Sequence, residues 1–446
     1  MYDAIQTHRS INIRHISQDW TEQMGFYRFL KNQNVTVSEL GRSLADSCEQ
    51  QVEGQHVLSI SDTSEINLQA HVGRLNPEEL GVVGNNSDIG FFIHPSLVLH
   101  ADDGCPLGIS HVQVWTRDPE RPDKHQRNYE SLPIELKESY KWLESAEGSA
   151  RCLLSGGARQ VTHIGDRESD LYEEWARVPD KHNHLLLRVC RDRRLVDRSQ
   201  SLYAYLAAQP CAGTYAVQVT ADARSGRRAR EAWIAVRFTP LEIRRPKNLS
   251  ASDYPPGVQL YAVEAKEINP PADQVPIHWR ILTTHTVMTL EQALQIIEWY
   301  RWRWQIELLF ATLKTAGLDI ESTELESGLG IQRLTVLALS VAVQILQLLA
   351  GRERLELKAG VAFSAEQQHC LAQMAPTLEG QTEKQLNPHP IGSLSWASWV
   401  IARLGGWSGY QSQRPPGIKT LARGLRKFDA MFQGWKLLQP PLVYTR

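Results

Sequence analysis

The sequence predicts a mixed α/β protein, and three observations support this fold class. Short runs of alternating or apolar residues, typical of strands, occupy residues 56–116 and 160–190 and are separated by turn signals. A second set of strand-like runs occupies residues 214–284. Residues 1–50 and the chain after Thr289 have instead the periodicity of helices. Strands and helices distributed in this way predict a mixed sheet flanked by helices.

Taken in chain order, the elements begin with a strand at 56–62 whose last residue, Asp62, precedes a polar turn. Residues 91–100 and 108–116, joined by an Ala-Asp-Asp-Gly turn signal, predict an antiparallel pair. A strand that ends in Asp166 follows. The remaining predicted elements are strands at 184–190, 214–220, 232–238, 259–265 and 279–284 and helical regions at 136–143, 171–177, 300–314, 336–350 and 393–438.

This order of elements outlines a ribonuclease H-like core, which is a mixed five-stranded sheet with flanking helices. Three strands, a helix and the strand ending in Asp166 come first, and a distant helix carries Glu307. The β-rich stretch at 186–288 is predicted to be an insertion ahead of that helix. Helical regions are expected at both ends of the chain.

Length and composition describe a large globular protein. A chain of 446 residues is too long for one ordinary core, so we expect two to four folding units. Its six cysteines form no CxxC pair, and no signal-peptide pattern is present, so we expect a cytoplasmic protein without a disulfide framework or zinc site. The longest apolar run, 336–350, contains Gln344 and Gln347 and is predicted to be a buried helix, not a membrane span.

Positive charge is concentrated in two segments of a chain whose net charge is −2. Residues 188–247, which include Arg193 and Arg224, contain 13 Lys and Arg against 5 Asp and Glu. Residues 403–446 contain 8 Lys and Arg against one acidic residue, Asp429. Basic surfaces of this kind bind phosphates, although such runs are also common as solvated faces.

The helix at 300–314 carries four polar groups of different chemistry. At about 100° per residue, Tyr300, Arg303, Glu307 and Lys314 fall within an arc of about 60° on a regular helix. Much of the remaining surface of this helix is apolar. The seam suits a polyanion bound beside a metal ion, and the alternative is an amphipathic helix whose polar face meets water.

Asp62 and Asp166 each end an apolar strand and begin a polar turn. If these strands are neighbours, the two carboxylates project side by side and repel each other unless a cation joins them. With Glu307 as a third ligand they would hold two Mg²⁺ ions about 4 Å apart, a centre suited to in-line displacement at a phosphodiester. The alternatives are a turn residue at Asp62 and a helix N-cap at Asp166.

The motifs Asp62-Thr, Asp166-Arg-Glu and Tyr300-x2-Arg-x3-Glu-x6-Lys occur in this order, with the basic β-rich insertion between the second and the third. In this the chain closely resembles the cut-and-paste bacterial transposases of the insertion-sequence 4 type, in the group of the transposon-five enzyme. The resemblance extends over nearly the whole chain from about Gly25. Further matching segments are 25–29, 34–35, 267–271, 393–396 and 401–406.

The resemblance implies a DDE transposase in which Asp62, Asp166 and Glu307 are catalytic and hold two Mg²⁺ ions, with Mn²⁺ as a substitute. Enzymes of this type nick a transposon end, form a DNA hairpin, reopen it and join the end to target DNA. The other site residues that it implies are DNA contacts, namely Tyr300 at the strand end, Arg303 and Lys314 on flanking phosphates, and Trp279 stacked near a flipped base. For Trp279 the alternative is a buried strand aromatic.

The resemblance also implies the domain organisation and the partners. The predicted segments are a shortened N-terminal DNA-binding region (1–50), the first part of the core (51–185), the insertion (186–288), the completed core (289–355) and a C-terminal dimerisation region (356–446). Expected partners are double-stranded DNA and a second copy of the chain, with no membrane. Two alternatives remain open, an inhibitor that pairs with a full-length transposase and a ribonuclease H-like nuclease without strand transfer.

Overall fold

The computed structural model describes residues 1, 4–5, 8, 10–76, 79–120, 132–196, 199–222, 226–352, 354–410 and 414–438. Of the two predicted basic segments, residues 197–198, 223–225 (which include Arg224), 411–413 and 439–446 lie outside the described residues. The chain divides into two compact units. The first unit contains residues 1–51, 63–121 and 305–446, and the second contains residues 52–62 and 122–304.

The described residues contain both helices and strands, and this confirms the mixed α/β class. The helices are α1 (Ile13–Ile16), α2 (Trp20–Lys31), α3 (Val37–Glu49), α4 (Tyr140–Ser155), α5 (Tyr172–Arg177), α6 (Leu202–Ala207), α7 (Leu290–Trp302), α8 (Trp304–Ala311), α9 (Gly328–Gly351), α10 (Ala365–Leu378), α11 (Leu394–Leu404) and α12 (Ile418–Leu438). The strands are β1 (His56–Ser61), β2 (Ser64–Asn67), β3 (Gly81–Val82), β4 (Ile89–His100), β5 (Pro106–Trp115), β6 (Gln160–Gly165), β7 (Asn183–Arg188), β8 (Gly213–Val219), β9 (Arg230–Arg244), β10 (Gly257–Glu267) and β11 (His278–Thr283).

The second unit is built on seven described strands in the order β1-β6-β7-β11-β10-β9-β8. The first three are parallel, and the pairings from β7 to β8 are antiparallel, so this sheet is mixed. The strands of the predicted insertion therefore continue the sheet that contains β1, β6 and β7. Parallel strands place their carboxyl ends at one edge, which is where ligands bind in open α/β sheets.

One face of this sheet is closed by an apolar core beneath helices α4, α5 and α6. Tyr172 and Trp175 of α5 and Leu202 and Leu206 of α6 are almost completely buried there. Leu185 and Leu187, which share one face of β7, contribute to the same cluster. Burial of these large side chains fixes the strand order and, with it, the positions of the strand ends.

Three histidines form a second, more polar cluster in the same unit. Thr162 of β6 lies 2.8 Å from His56 Nε2 and 2.7 Å from His285 Nε2 through its hydroxyl oxygen. The rings of His184 and His285 stack 4.1 Å apart, and Trp299 of α7 packs 5.1 Å from His285. Burial, with smaller effects of His184 and His56, lowers the pKa of His285 to about 2.

The first unit combines a small sheet with most of the helices. Strands β2, β3 and β5 all pair antiparallel with β4, which confirms the predicted pair formed by β4 and β5. Helix α9 is long and apolar enough to cross a membrane, but 83% of its most apolar stretch is buried inside the protein. Gln347 donates to the Pro106 carbonyl at 3.0 Å. The buried helix predicted at 336–350 is therefore observed, with a longer range.

The helix predicted at 136–143 begins later than expected. A 3₁₀ turn occupies Ile134–Leu136, and the α-helix starts at Tyr140 and continues to Ser155. Pro133 precedes the short turn, and Gly156 ends the helix. The apolar periodicity identified the helix, whereas its ends depended on turn geometry that periodicity does not report.

Candidate active site

The two candidate aspartates follow neighbouring parallel strands at the same level. In the pairing of β1 with β6, His56 is opposite Gln160 and Ile60 is opposite Ile164. Two further residues in the same register bring the chain to Asp62 on one strand and to Asp166 on the other. The two strands are therefore neighbours, which the sequence alone could not establish. The side chains of Asp62 and Asp166 are both partly buried.

Asp166 organises the turn that follows β6. Its Oδ1 accepts the backbone N–H of Glu168 at 2.8 Å. The helix that comes next, α5, has Leu171 at its N-cap and no side-chain cap, so Asp166 is not its N-cap. An aspartate that accepts a hydrogen bond from the backbone N–H two residues later stabilises a turn through one of its two oxygens.

Asp170 holds the far end of this turn in the core. It is 2% exposed and pairs with Arg193, which is 7% exposed. Its carboxylate also accepts the Trp175 indole N–H at 3.1 Å and the Cys190 backbone N–H at 2.9 Å. Arg193 was counted within the basic segment 188–247, but its charge is used inside the protein and is not presented to a ligand.

Arg303 forms an ion pair with Asp62 in the second unit. The guanidinium Nη1 lies 3.0 Å from Asp62 Oδ2, and the two side chains are 16% and 21% exposed. Arg303 follows the last residue of α7, and its backbone N–H closes a tight turn onto the carbonyls of Tyr300 and Arg301. The end of α7 therefore places a permanent positive charge against the first candidate aspartate.

Tyr300 and Trp279 contact each other beside this ion pair. Their rings lie 5.5 Å apart in an edge-to-face arrangement, and Tyr300 is 4% exposed. Burial raises the pKa of Tyr300, while the positive charges of Arg303 and Arg188 act in the opposite direction and the charge of Asp166 adds a small increase. Trp279 is partly exposed, so it is not a fully buried strand aromatic.

The prediction of one regular helix from 300 to 314 was wrong. Helix α7 ends at Trp302, Arg303 forms a turn, and α8 begins at Trp304. Residues Thr312–Ala316 then form a π-helical turn, which is wider than an α-helical one. The angles calculated for Arg303, Glu307 and Lys314 on a uniform helix therefore do not apply.

Glu307 and Lys314 belong to the first unit. Glu307 lies in the first turn of α8, where a carboxylate interacts favourably with the helix dipole, and it is half-buried. Lys314 Nζ lies 3.4 Å from Glu321 Oε1, which also accepts the Asn67 backbone N–H at 3.0 Å. A phosphate bound by Lys314 would compete with this carboxylate.

The donor chemistry of the aspartate pair fits a hard divalent ion. Carboxylate oxygens are the ligands that Mg²⁺ and Mn²⁺ prefer, and Asp62 and Asp166 supply them from adjacent strand ends. Within the described residues, no group of three or more His, Cys, Asp and Glu side chains is arranged to hold a metal ion. In this arrangement the guanidinium of Arg303 contacts Asp62 as a cation.

A family model for the transposase DDE domain matches residues 110–343, which is more than half of the chain. The chain belongs to the transposase DDE domain family. Transposase activity is therefore the function class that this domain indicates, and DNA binding follows from it. DDE transposases generally use divalent metal ions. The match includes Asp166, Trp279 and the segment from Tyr300 to Lys314, whereas Asp62 lies before it.

Sequence reasoning missed Arg188 as a member of this site. It stands at the end of β7, its positive charge acts to lower the pKa of Tyr300, and its Nη2 donates to the His278 carbonyl at 3.3 Å. In the sequence it is one of 13 basic residues in its segment. Its place at the carboxyl end of a strand next to that of Asp166 was the signal that could have identified it.

Proposed function

We propose that this chain is a cut-and-paste DNA transposase of the insertion-sequence 4 type, in the transposon-five group, with a ribonuclease H-like core. The observation that supports this proposal most directly is the placement of Asp62 and Asp166 at neighbouring parallel strand ends in a chain of the transposase DDE domain family. The family match favours neither the inhibitor nor the simple nuclease over this enzyme.

In the proposed reaction, Asp62, Asp166 and Glu307 are the catalytic carboxylates and the ligands of two Mg²⁺ ions. When bound, such ions would activate the attacking oxygen and stabilise the leaving oxygen of a phosphodiester. The protein's own contribution is to hold the first two carboxylates on rigid strands, so that little reorganisation accompanies the reaction. Glu307 is assigned by its position four residues after Arg303, which pairs with Asp62.

Four residues are assigned to the DNA in this proposal. Arg303 is proposed to contact a phosphate beside the cleaved bond, which requires its guanidinium to exchange Asp62 for a phosphate oxygen. Both partners accept the forked N–H donors of arginine, so the exchange conserves the hydrogen-bond type. Lys314 is proposed to hold a second phosphate, Tyr300 to position the strand end and Trp279 to stack on a flipped base during hairpin formation.

The remaining parts of the proposal concern assembly. Two copies of the chain would synapse two transposon ends through the C-terminal region 356–446, and the free 3′-hydroxyls of these ends would then attack phosphodiesters of the target DNA. The proposed location is the cytoplasm, at the nucleoid when DNA is bound. The amphipathic pattern of α12 is consistent with a helix that has both a packed and a solvent-facing side.

The proposal is tested by substituting each carboxylate with its amide. Asp62→Asn, Asp166→Asn and Glu307→Gln keep the side-chain shape and remove one charge. We expect each to reduce nicking of a duplex that carries the element's end by at least about 100-fold. DNA binding in EDTA should remain within about threefold of wild type, because the basic surfaces are retained.

Asp253→Asn is the matched control, because Asp253 is exposed in the same unit and away from the strand ends. It should nick at the wild-type rate. Nicking at near wild-type rate in Glu307→Gln would refute the assignment of the third carboxylate. A chain that nicks but never joins a precleaved 3′-hydroxyl end to a target plasmid would refute the transposase in favour of the nuclease.

A further inference from the structure

The turn between β6 and α5 carries Asp166, and Ser169 forms the inner side of this turn. Ser169 is completely buried, at 0% exposure. Gly165 is the last residue of β6 and immediately precedes Asp166. A Cβ added at Gly165 would lie 2.5 Å from both the Cβ and the Oγ of Ser169. The Ser169 side chain therefore fills the space that a larger residue at 165 would need, and the turn packs back onto the end of the strand.

Ser169 is bound by a buried carboxyl group. Its Oγ donates to Glu174 Oε2 at 2.8 Å, and Glu174, in the first turn of α5, is 2% exposed. Burial raises the pKa of Glu174 to about 8, while the hydrogen bond from Ser169 acts in the opposite direction and the charge of Asp170 adds to the increase. The carboxyl group is therefore largely uncharged at pH 7 and holds Ser169 as a neutral acceptor.

Different contacts hold the two ends of this turn. Asp170 anchors the far end through its buried ion pair. The hydrogen bond from Ser169 to Glu174 holds the end nearest to Asp166, because Ser169 packs on the last residue of β6. The hydrogen bond from the Glu168 N–H to the Asp166 carboxylate lies within the turn and moves with it. The orientation of the Asp166 carboxylate therefore depends on contacts that fix the turn from outside.

We propose that Glu174 is a positioning residue for Asp166 and acts through Ser169. The inference rests on the proposed function, in which Asp166 is a catalytic carboxylate and a ligand of Mg²⁺. Removing a residue that supports a metal ligand typically costs about 10–100-fold in metal affinity or activity. A displacement of about 1 Å at a reacting group can cost about 100-fold in rate. The support of Asp166 by Glu174 is therefore large enough to measure.

The test replaces Glu174 by two residues of similar size, at a temperature well below the melting temperature of every variant. Glu174→Gln keeps an acceptor for the Ser169 hydroxyl, whereas Glu174→Met has no oxygen acceptor. We expect Glu174→Met to nick DNA about 10-fold more slowly and to need about 10-fold more Mg²⁺ for its half-maximal rate. Glu174→Gln should remain within about threefold of wild type in both quantities. DNA binding in EDTA should be unchanged in both variants, because no basic residue is altered.

Glu173→Met is the matched control. Glu173 is 8% exposed and lies in the same turn of α5, so this change also removes a buried carboxyl group, but it leaves the acceptor of Ser169 in place. We expect it to nick like wild type. A purely structural role of Glu174 predicts that Glu174→Met and Glu173→Met both lower the melting temperature and do not differ in nicking rate or Mg²⁺ requirement. That outcome would overturn the proposal.

A double-variant cycle tests whether Glu174 acts through Ser169. Ser169→Ala removes the hydroxyl donor. If the two residues act through one hydrogen bond, combining Ser169→Ala with Glu174→Met should slow nicking by no more than about twofold beyond the slower single variant. Losses that multiply would show that Glu174 acts by another route, and they would overturn the proposal.

Two further measurements do not depend on cleavage. Hydrogen exchange without metal or DNA, followed on peptides that cover residues 165–170, should be faster in Glu174→Met than in wild type, Glu174→Gln and Glu173→Met. Binding of Mn²⁺, followed by the electron paramagnetic resonance signal of the free ion, should be about 10-fold weaker in Glu174→Met and unchanged in the other two variants.

These measurements separate the failure of this inference from the failure of the proposed function. A chain that never cuts DNA but shows the exchange and Mn²⁺ effects would lose the proposed function and keep Glu174 as the residue that positions Asp166. A chain that nicks and joins ends while Glu174→Met behaves like Glu173→Met in every assay would keep the proposed function and lose this inference.

Discussion

Lowering the pH should destabilise the second unit through His285. This imidazole is stacked on His184 and lies near His56, with the Thr162 hydroxyl as its hydrogen-bond partner. Burial is the main cause of its low pKa, about 2, and the two neighbouring imidazoles add to the effect. The folded chain therefore binds no proton at His285 at pH values where the unfolded chain does.

The sign and size of the effect follow from linkage. Because the folded pKa is depressed, the stability is fully present above the ordinary value of 6.5 and is lost as the pH falls below it towards 2. At pH 5 the loss from this one group is about 2 kcal/mol, from 1.36 kcal/mol per pH unit over about 1.5 units. His163, whose pKa burial lowers to about 4, has the same sign.

Glu174 opposes both histidines. Burial raises its pKa to about 8, so its contribution to stability is present below its ordinary value of 4.5 and is lost as the pH rises towards 8. Between pH 6.5 and 5 it changes by a similar amount in the opposite direction. The pH dependence of wild-type stability is therefore the sum of the contributions of His285, His163 and Glu174. A variant of His285 is needed to measure the contribution of His285 alone.

The assay is hydrogen exchange of wild type and His285→Gln at pH 6.5 and pH 5, followed on peptides that cover β6 and β7. Gln can still bond Thr162 but does not titrate. We expect the opening free energy of these strands to fall by about 2 kcal/mol more in wild type than in the variant. His15→Gln, at an exposed histidine of the first unit, is the control. Equal falls in wild type and His285→Gln would refute the reasoning.

Three further predictions concern packing, stacking and charge. A Cβ at Gly424 of α12 would lie within 2 Å of the Ile401 carbonyl oxygen, so Gly424→Ala should lower the melting temperature. A Cβ at Gly434 of the same helix would have no atom within 4 Å, so Gly434→Ala should stabilise the protein by up to about 1 kcal/mol. Trp279→Ala should still nick DNA but form hairpins at least about fivefold more slowly, because stacking on a base is worth about 1–3 kcal/mol; equal losses in both steps, measured on gels, would indicate a folding defect. Lys314→Ala should reduce the slope of the logarithm of DNA affinity against the logarithm of salt concentration by about 0.9, the value for one lost phosphate contact. An unchanged slope in a filter-binding titration would show that Lys314 does not contact a phosphate.

The positions of Asp62 and Asp166 show what strand patterns can predict. Each of these residues ends an apolar run and is followed by polar residues. This pattern indicates the position at which a strand ends. The adjacency of the two strands was an inference from fold class, since a sequence pattern does not state which strands pair. The observed register of β1 and β6 supplies that missing step.

The segment from Tyr300 to Lys314 shows what the pattern could not predict. Its apolar spacing fits a helix throughout, yet the backbone turns at Arg303 and widens into a π-helical turn at Thr312–Ala316. No proline or glycine marks the turn at Arg303, and Gly317 follows the π-helical turn but does not mark where it begins. The ion pair of Arg303 with Asp62 is a tertiary contact, and the hydrogen bond from the Thr312 hydroxyl to the Leu308 carbonyl is a local one that disturbs the helix; apolar periodicity reports neither of them.

The buried ion pairs of the second unit separate two kinds of basic residue that composition counts together. Arg193 and Arg237 point their charges at buried Asp170 and Glu264, and removing either acid would leave an arginine uncompensated in the protein. Arg280 shares Glu264 through Nε alone and keeps its outer donors towards solvent. The Glu264 carboxylate and the Tyr203 ring therefore hold the Arg280 guanidinium in one orientation, with its Nη groups still able to donate. Local charge in the sequence indicates that a surface is basic, but the acceptor beneath each guanidinium determines whether that charge reaches a ligand.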